Sequence, residues 1–159
     1  MFKLFSKKKE KKGILAPIDG KFLPLNEVPD QVFSTKMMGD GVAIDTTGSE
    51  VYAPCDATVS VIAPTKHAYG LTLDNGVEML IHVGLDTVNM KGQGFEPAVS
   101  MGDKVKAGDL LVKVDRALFE SNNISLITPV IVCNSSQFPL KDITTETTVK
   151  ANETVLFHF

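Results

Sequence analysis

The chain has 159 residues, 43% of them hydrophobic and 22% charged, the composition of an ordinary globular domain large enough to bury a core without disulfide or metal staples. No apolar run approaches the roughly 20 residues of a membrane-spanning helix, so a bilayer span is not expected. Charge is uneven: residues 1–12, MFKLFSKKKEKK, hold six lysines and one glutamate, a net +5, so the rest of the chain carries −8 to give −3 overall.

In this opening stretch Phe2, Leu4 and Phe5 precede the lysines, the reverse of a secretion signal, so export is not expected and a cytoplasmic location is. Apolar side chains beside a lysine cluster could rest weakly on an anionic membrane surface, at the inner face of the membrane, or simply form a flexible solubilising tail. Residues 13–159 are expected to form one domain. Cys55 and Cys133 sit in apolar company with no C-x-x-C spacing, and both are read as reduced core residues.

From Gly13 onward, short apolar or alternating runs are separated by the turn signals DG, GDG, TTG, DNG, KGQG and GDKVKAGD. In chain order these runs predict strands over 13–16, 21–24, 42–45, 51–53, 57–62, 68–73, 78–83, 110–114, 127–133 and 153–157. Only 115–122, DRALFESN, reads as a short helix, with Asp115 as its cap. The pattern predicts an all-β fold, an antiparallel β-sandwich or barrel-like arrangement with at most short helical turns. APIDG at 16–20 and APCDA at 53–57, with a weaker echo in TPV at 128–130, suggest a duplicated strand-turn unit.

His82 stands inside an apolar run, between Ile81 and Val83, and His67 lies fifteen residues upstream across the DNG hairpin signal. A two-residue loop of Asp74 and Asn75 would set His67 opposite His82. A loop of Asn75 and Gly76 would make them diagonal neighbours, roughly 7–8 Å apart. A three-residue loop with a bulge would put them on opposite faces. A neutral imidazole offers one nitrogen as nucleophile or ligand while the other fixes the tautomer. Paired imidazoles would suit phosphoryl transfer, where Gly84 would admit a phosphate or a partner's backbone. Two histidines fall short of a catalytic zinc site, and one histidine on an apolar strand is more often a hydrogen-bonded core residue.

The segments TKHAYG, EMLIHVGLDTV, KGQGF, GDKVKAGDLL and LITPVIV, in that order across residues 14–157, resemble the glucose-type enzyme IIA family of the bacterial sugar phosphotransferase system. The resemblance implies an antiparallel β-sandwich that carries phosphate from phosphohistidine on the carrier protein HPr to a cysteine on the IIB domain of a sugar permease. His82 matches the phosphorylated position, through Nε2, and His67 the second histidine that supports the phosphate and its onward transfer. Thr65 matches the hydroxyl that orients His67. Asp86 and Asp30 match acidic positions flanking the site, which would hold the imidazoles and meet basic partner surfaces. Val32, Phe33, Met37 and Met38 match the apolar collar on which partners dock, while Ala63 and Leu80 stand where some relatives carry Phe. Read without the resemblance, Asp86 is a turn cap, Thr65 ordinary strand-end chemistry and the Phe33–Met38 cluster plain core.

The resemblance implies no required cofactor, though in some relatives the histidine pair gives a zinc ion two ligands completed by a partner's carboxylate. It also implies that the dephosphorylated form can bind regulatory protein targets. No nucleic-acid partner is expected, and the protein is expected to be a monomer working with separate permease partners. A zinc peptidase on a related fold would need an H-x-H that is missing, and Lys91 in NMKGQ is a poor match for a biotinyl or lipoyl lysine. His158 belongs to no motif.

Overall fold

The computed structural model describes residues 13–159, so the basic stretch 1–12, with its expected membrane-surface contact, lies outside the described residues. The elements run β1 (Ile14–Leu15), β2 (Gly20–Pro24), a 3-10 turn (Leu25–Glu27), helix α1 (Gln31–Ser34), β3 (Asp40–Thr46), β4 (Glu50–Tyr52), β5 (Ala57–Ile62), β6 (Ala68–Thr72) and β7 (Glu78–His82). A second 3-10 turn (Thr87–Met90) leads to β8 (Phe95–Pro97), β9 (Lys104–Val105), β10 (Leu110–Val114), helix α2 (Arg116–Ser121), β11 (Ile127–Val132), β12 (Thr148–Val149) and β13 (Val155–Phe157). An eight-stranded sheet in the order β12-β2-β3-β11-β7-β6-β5-β9 packs with a three-stranded sheet, β4-β10-β8, and the pair β1-β13 around one core. All paired neighbours are antiparallel, as the alternating runs predicted.

The centre of the large sheet is covered on both faces. Val42, Ile44, Met79, Ile81, Val130 and Val132 point into the main core. Their strand neighbours Ala43, Leu80 and Ile131 point the other way, into a smaller cluster with Leu25, Val28, Phe33 and Leu85. Covering on two faces explains why these strands read as unbroken apolar runs rather than strict alternation. The segment between β2 and β3, which carries α1, supplies the outer cover, and His82 emerges on that outer face.

The Ala-Pro repeat is a true structural repeat. After Ala16, β2 pairs with β12 through Gly20–Val149 and Lys21–Thr148; after Ala53, β5 pairs with β9 through Ala57–Val105 and Thr58–Lys104. Asp19 Oδ1 accepts from Ala151 N at 2.8 Å, and Asp56 Oδ1 accepts from Ala107 N at 3.0 Å. Asn152 N donates to Ala16 O at 3.0 Å, and Gly108 N donates to Ala53 O at 2.9 Å. Both donors adopt left-handed φ, 67° at Asn152 and 94° at Gly108. The two copies sit at opposite ends of the eight-stranded sheet, where each adds a two-residue strand that covers an otherwise open edge. The TPV echo is not part of it, since Thr128–Val130 lies inside β11.

Some expectations change. β8, β9 and β12 span two or three residues, too few for alternation to show. The single-turn α1 was not expected, whereas α2 forms as expected, with Asp115 Oδ1 accepting from Leu118 N at 3.3 Å. Cys133, expected in the core, is exposed one residue beyond β11, and Cys55 is half-buried; both are free thiols. Desolvation pushes the Cys55 thiol up to about 12, so it stays protonated and unreactive.

Candidate functional site

His82 ends β7, and the residue facing it on β11 is Pro129. The β7–β11 ladder runs from Met79–Val132 to Ile81–Val130 and stops there. Proline has no N–H to give, so the ladder is released at the level of His82 and the chain turns away through Gly84. Gly84 has φ +82°, and a Cβ there would lie 2.4 Å from Thr87 Cγ2 and 2.8 Å from the Ser125 carbonyl. Only glycine fits. Its expected part in admitting a phosphate or partner is corrected: Gly84 is buried and faces inward. What it turns toward the site is its carbonyl, which lies 2.7 Å from His82 Nδ1. A carbonyl only accepts, so Nδ1 carries the proton and Nε2 carries the lone pair.

The hairpin between the histidines takes the third register. Ala68 pairs with His82, Thr72 with Glu78, and Asp74–Asn75–Gly76 form a three-residue loop with Gly76 at φ 96°. In a regular ladder this register would put His67 and His82 on opposite faces, yet the ring centroids are 4.8 Å apart, edge to face at 76°. His67 escapes alternation because it lies just outside β6, directly after Lys66 in a left-handed conformation at φ 65°. Its carbonyl still accepts from Val83 N at 2.7 Å, while its ring turns to meet His82. Thr65, expected to orient His67, has its Oγ1 2.7 Å from His67 Nδ1.

The other side of the His82 ring is covered by Phe33, with centroids 4.9 Å apart. Phe33 was expected to help form a docking collar. It is instead 4% exposed, because α1 folds its apolar side onto the outer face of the sheet, a burial that stabilises by about 2–3 kcal/mol. Val32, Met37 and Met38 do front the surface, at 41%, 75% and 41% exposure.

The two carboxylates differ. Asp30 caps α1, its Oδ1 accepting from Val32 N at 3.0 Å. Asp86 is exposed in a left-handed conformation at the start of the second 3-10 turn, and its side chain makes no capping bond there. Both place negative charge close enough to favour protonation of His82, as does the Gly84 carbonyl, but burial outweighs them and holds the imidazole below its ordinary value. His67 is also held down, first by burial and then by the neighbouring His82, against a smaller upward pull from the Thr65 carbonyl. At neutral pH both rings are therefore uncharged. His67 is 8% exposed, whereas His82 is half-buried and reachable. Among the described residues no group of three or more His, Cys, Asp or Glu side chains is placed to hold a metal ion.

Sequence reasoning missed the partners behind these groups. Thr87, fully buried, donates through Oγ1 to the Val83 carbonyl at 2.7 Å and so braces the loop that carries Gly84. Its register in the motif was readable, but its burial was not, since a threonine one residue after an exposed aspartate looks like surface.

A β-sandwich that presents a neutral imidazole with one nitrogen tied and the other free, backed by a second imidazole, is equipped for nucleophilic group transfer. Comparison with known proteins narrows this class. Residues 12–138 match the family model described as phosphoenolpyruvate-dependent sugar phosphotransferase system, EIIA 1. The chain is 44% identical over 155 residues to the glucose-specific EIIA component of Staphylococcus aureus (strain COL), covering 96% of this chain and 93% of that one. It is 45% identical over 138 residues to the corresponding protein of Staphylococcus epidermidis (strain ATCC 12228), covering 85% and 83%. Among solved structures it superimposes on the glucose permease IIA of Mycoplasma capricolum with a TM-score of 0.84 at 37% identity, over 91% of this chain and 93% of that chain. The chain belongs to the EIIA 1 family of the phosphoenolpyruvate-dependent sugar phosphotransferase system. It is a phosphocarrier component of that system.

Proposed function

We propose that His82 Nε2 accepts a phosphoryl group from phosphohistidine on HPr and passes it to the cysteine of a permease IIB domain, with glucose as the sugar named for the relatives. The observation that carries this reading is the bond from His82 Nδ1 to the Gly84 carbonyl. It commits the ring proton to the far nitrogen, so the lone pair on Nε2 is available to attack phosphorus. The new N–P bond forms as the N–P bond to the donor histidine breaks. The proton stays on Nδ1, donated to the Gly84 carbonyl, which also steadies the positive charge of the phosphorylated ring. When the Thr65 hydroxyl donates to His67 Nδ1, the His67 proton rides on Nε2, where it can be given to a phosphate oxygen. In the second transfer a IIB thiolate attacks phosphorus and His82 leaves as the neutral ring it was at the start. Transfer depends on position and charge rather than on a metal held by this domain.

Asp30 and Asp86 would meet basic groups on the partners, and the exposed Val32, Met37 and Met38 would supply the apolar contact. The same surface would serve regulatory targets in the cytoplasm when His82 is unphosphorylated. Zinc would fit there only as a shared ion: each Nδ1 is already engaged, each Nε2 is free to ligate, and a partner must complete the set.

The test is intact-mass measurement after incubation with phosphoenolpyruvate, enzyme I and HPr. Wild type and His67→Ala should each gain one acid-labile phosphoryl group, and His82→Ala none. A gain by His82→Ala equal to that of wild type would refute the assignment.

A further inference from the structure

Tyr69 lies on the inner face of β6, paired with Ile81, and is fully buried. The positions around it, Leu71, Met79 and Ile81, show that this face asks only for apolar bulk. The phenol hydroxyl is surplus to that packing, and a hydroxyl taken into a core destabilises unless it finds a partner. It finds one: Oη donates to the Lys66 carbonyl at 2.9 Å. No other donor reaches that carbonyl among the described residues.

Lys66 is the single residue between Thr65 and His67. The connection from β5 to β6 is a turn in which Ala63 N donates to Ala68 O at 3.0 Å and Lys66 N donates to Ala63 O at 2.7 Å. To leave that turn Lys66 takes φ 65°, a left-handed conformation that side-chain-bearing residues adopt at a cost. Rotation at this residue sets where the Thr65 hydroxyl stands relative to the His67 ring. Lys66 is exposed and, among the described residues, its side chain makes no hydrogen bond that would hold it there, so the constraint comes from below, through its carbonyl.

We propose that Tyr69 is a positioning residue for His67: its hydroxyl pins the Lys66 carbonyl, and with it the left-handed peptide that lays the Thr65 hydroxyl on His67 Nδ1. The functional weight of this rests on the reading above, in which His67 supports the phosphate on His82. Tyr69 touches neither reacting nitrogen. It acts through the turn.

The test compares Tyr69→Phe, which keeps the ring and its packing, with Thr65→Val and the double variant. Each is read by two-bond 1H–15N correlation of the imidazoles and by the rate of phosphoryl transfer to the IIB domain of a glucose permease. Tyr69→Phe should move the His67 nitrogen shifts, leave those of His82 in place, and slow transfer by about fivefold, the share of one neutral hydrogen bond. Because both changes break one linkage, the double variant should be no slower than the slower single variant. Lys66→Asn, a residue more at ease in the left-handed region, should restore much of the loss when added to Tyr69→Phe. Unchanged His67 shifts in Tyr69→Phe, or losses that multiply in the double variant, would overturn the proposal. The spectra are taken on unphosphorylated protein, so they judge Tyr69 independently of transfer. Moved shifts with unchanged transfer would uphold the positioning and overturn the role given to His67.

Discussion

His82 and His67 are the same residue type, in contact and both held neutral by burial, yet the chain gives them unlike anchors. His82 is tied to a backbone carbonyl that can only accept, on a glycine that no other residue can replace. His67 is tied to a side-chain hydroxyl that can either donate or accept. The first anchor fixes one tautomer; the second permits two. The ring with a fixed tautomer and the greater exposure is suited to be the nucleophile. The buried ring with an adjustable proton is suited to give and withdraw a hydrogen bond as phosphate arrives and leaves.

The sharpest way to break this comparison is to remove the adjustable ring. His67→Ala should still accept phosphate but lose onward transfer to IIB by about a hundredfold or more, the scale of a positioned proton donor. Rapid-quench transfer assays check it, and equal losses in both half-reactions would erase the distinction between the two rings. Next in size is the rigid anchor. Gly84→Ala must place a methyl group against Thr87 and the Ser125 carbonyl at positive φ, which should destabilise the fold by about 2–4 kcal/mol and misplace the Nδ1 acceptor. Urea denaturation measures the first effect, and the His82 nitrogen shifts measure the second. Smaller again is Thr65→Val, which keeps the shape and loses only the hydroxyl. Onward transfer should fall by about fivefold with phosphate acceptance nearly unchanged, because one neutral hydrogen bond is removed.

The comparison also marks what could be read from the chain. Strand positions came from apolar spacing, and the histidine pair from the TKHA and IHVGLDTV segments, because both signals are local. The ring contact was anticipated through the wrong registers. The alternation rule holds inside a ladder, and His67 lies one residue outside it, where the left-handed Lys66 reorients the chain. Phe33 had two readings, docking collar with the resemblance and plain core without it, and its burial follows the second. Its burial depends on α1 settling on the outer face against Ala43 and Ile131, a meeting of residues distant in sequence that no short window contains. The edge strands β9 and β12 were invisible as strands. The Ala-Pro repeats that cap them were visible, since the turn chemistry of Asp19 and Asp56 is written in five residues.

The smallest expected effect concerns pH, and it tests whether both rings are in fact buried neutral. Burial lowers the affinity of each imidazole for a proton in the folded state, so between the folded value and the unfolded value of about 6.5 the unfolded chain binds more protons. Stability contributed by these rings is therefore full above about pH 6.5 and declines as the pH falls below it. Replacing both with glutamine removes the proton-linked difference while keeping a polar side chain. Urea unfolding at pH 7.5 and 5.5 should show a larger acid loss for wild type than for the double variant, and the carboxylates, common to both, cancel. If His67→Gln alone flattens the difference while His82→Gln does not, burial acts chiefly on the inner ring. The half-exposed His82 is then kept neutral less strongly, which suits the proposed nucleophile, a group that would change charge on each phosphorylation. An acid loss identical in wild type and double variant would mean that neither ring is desolvated enough for its anchor to decide its proton.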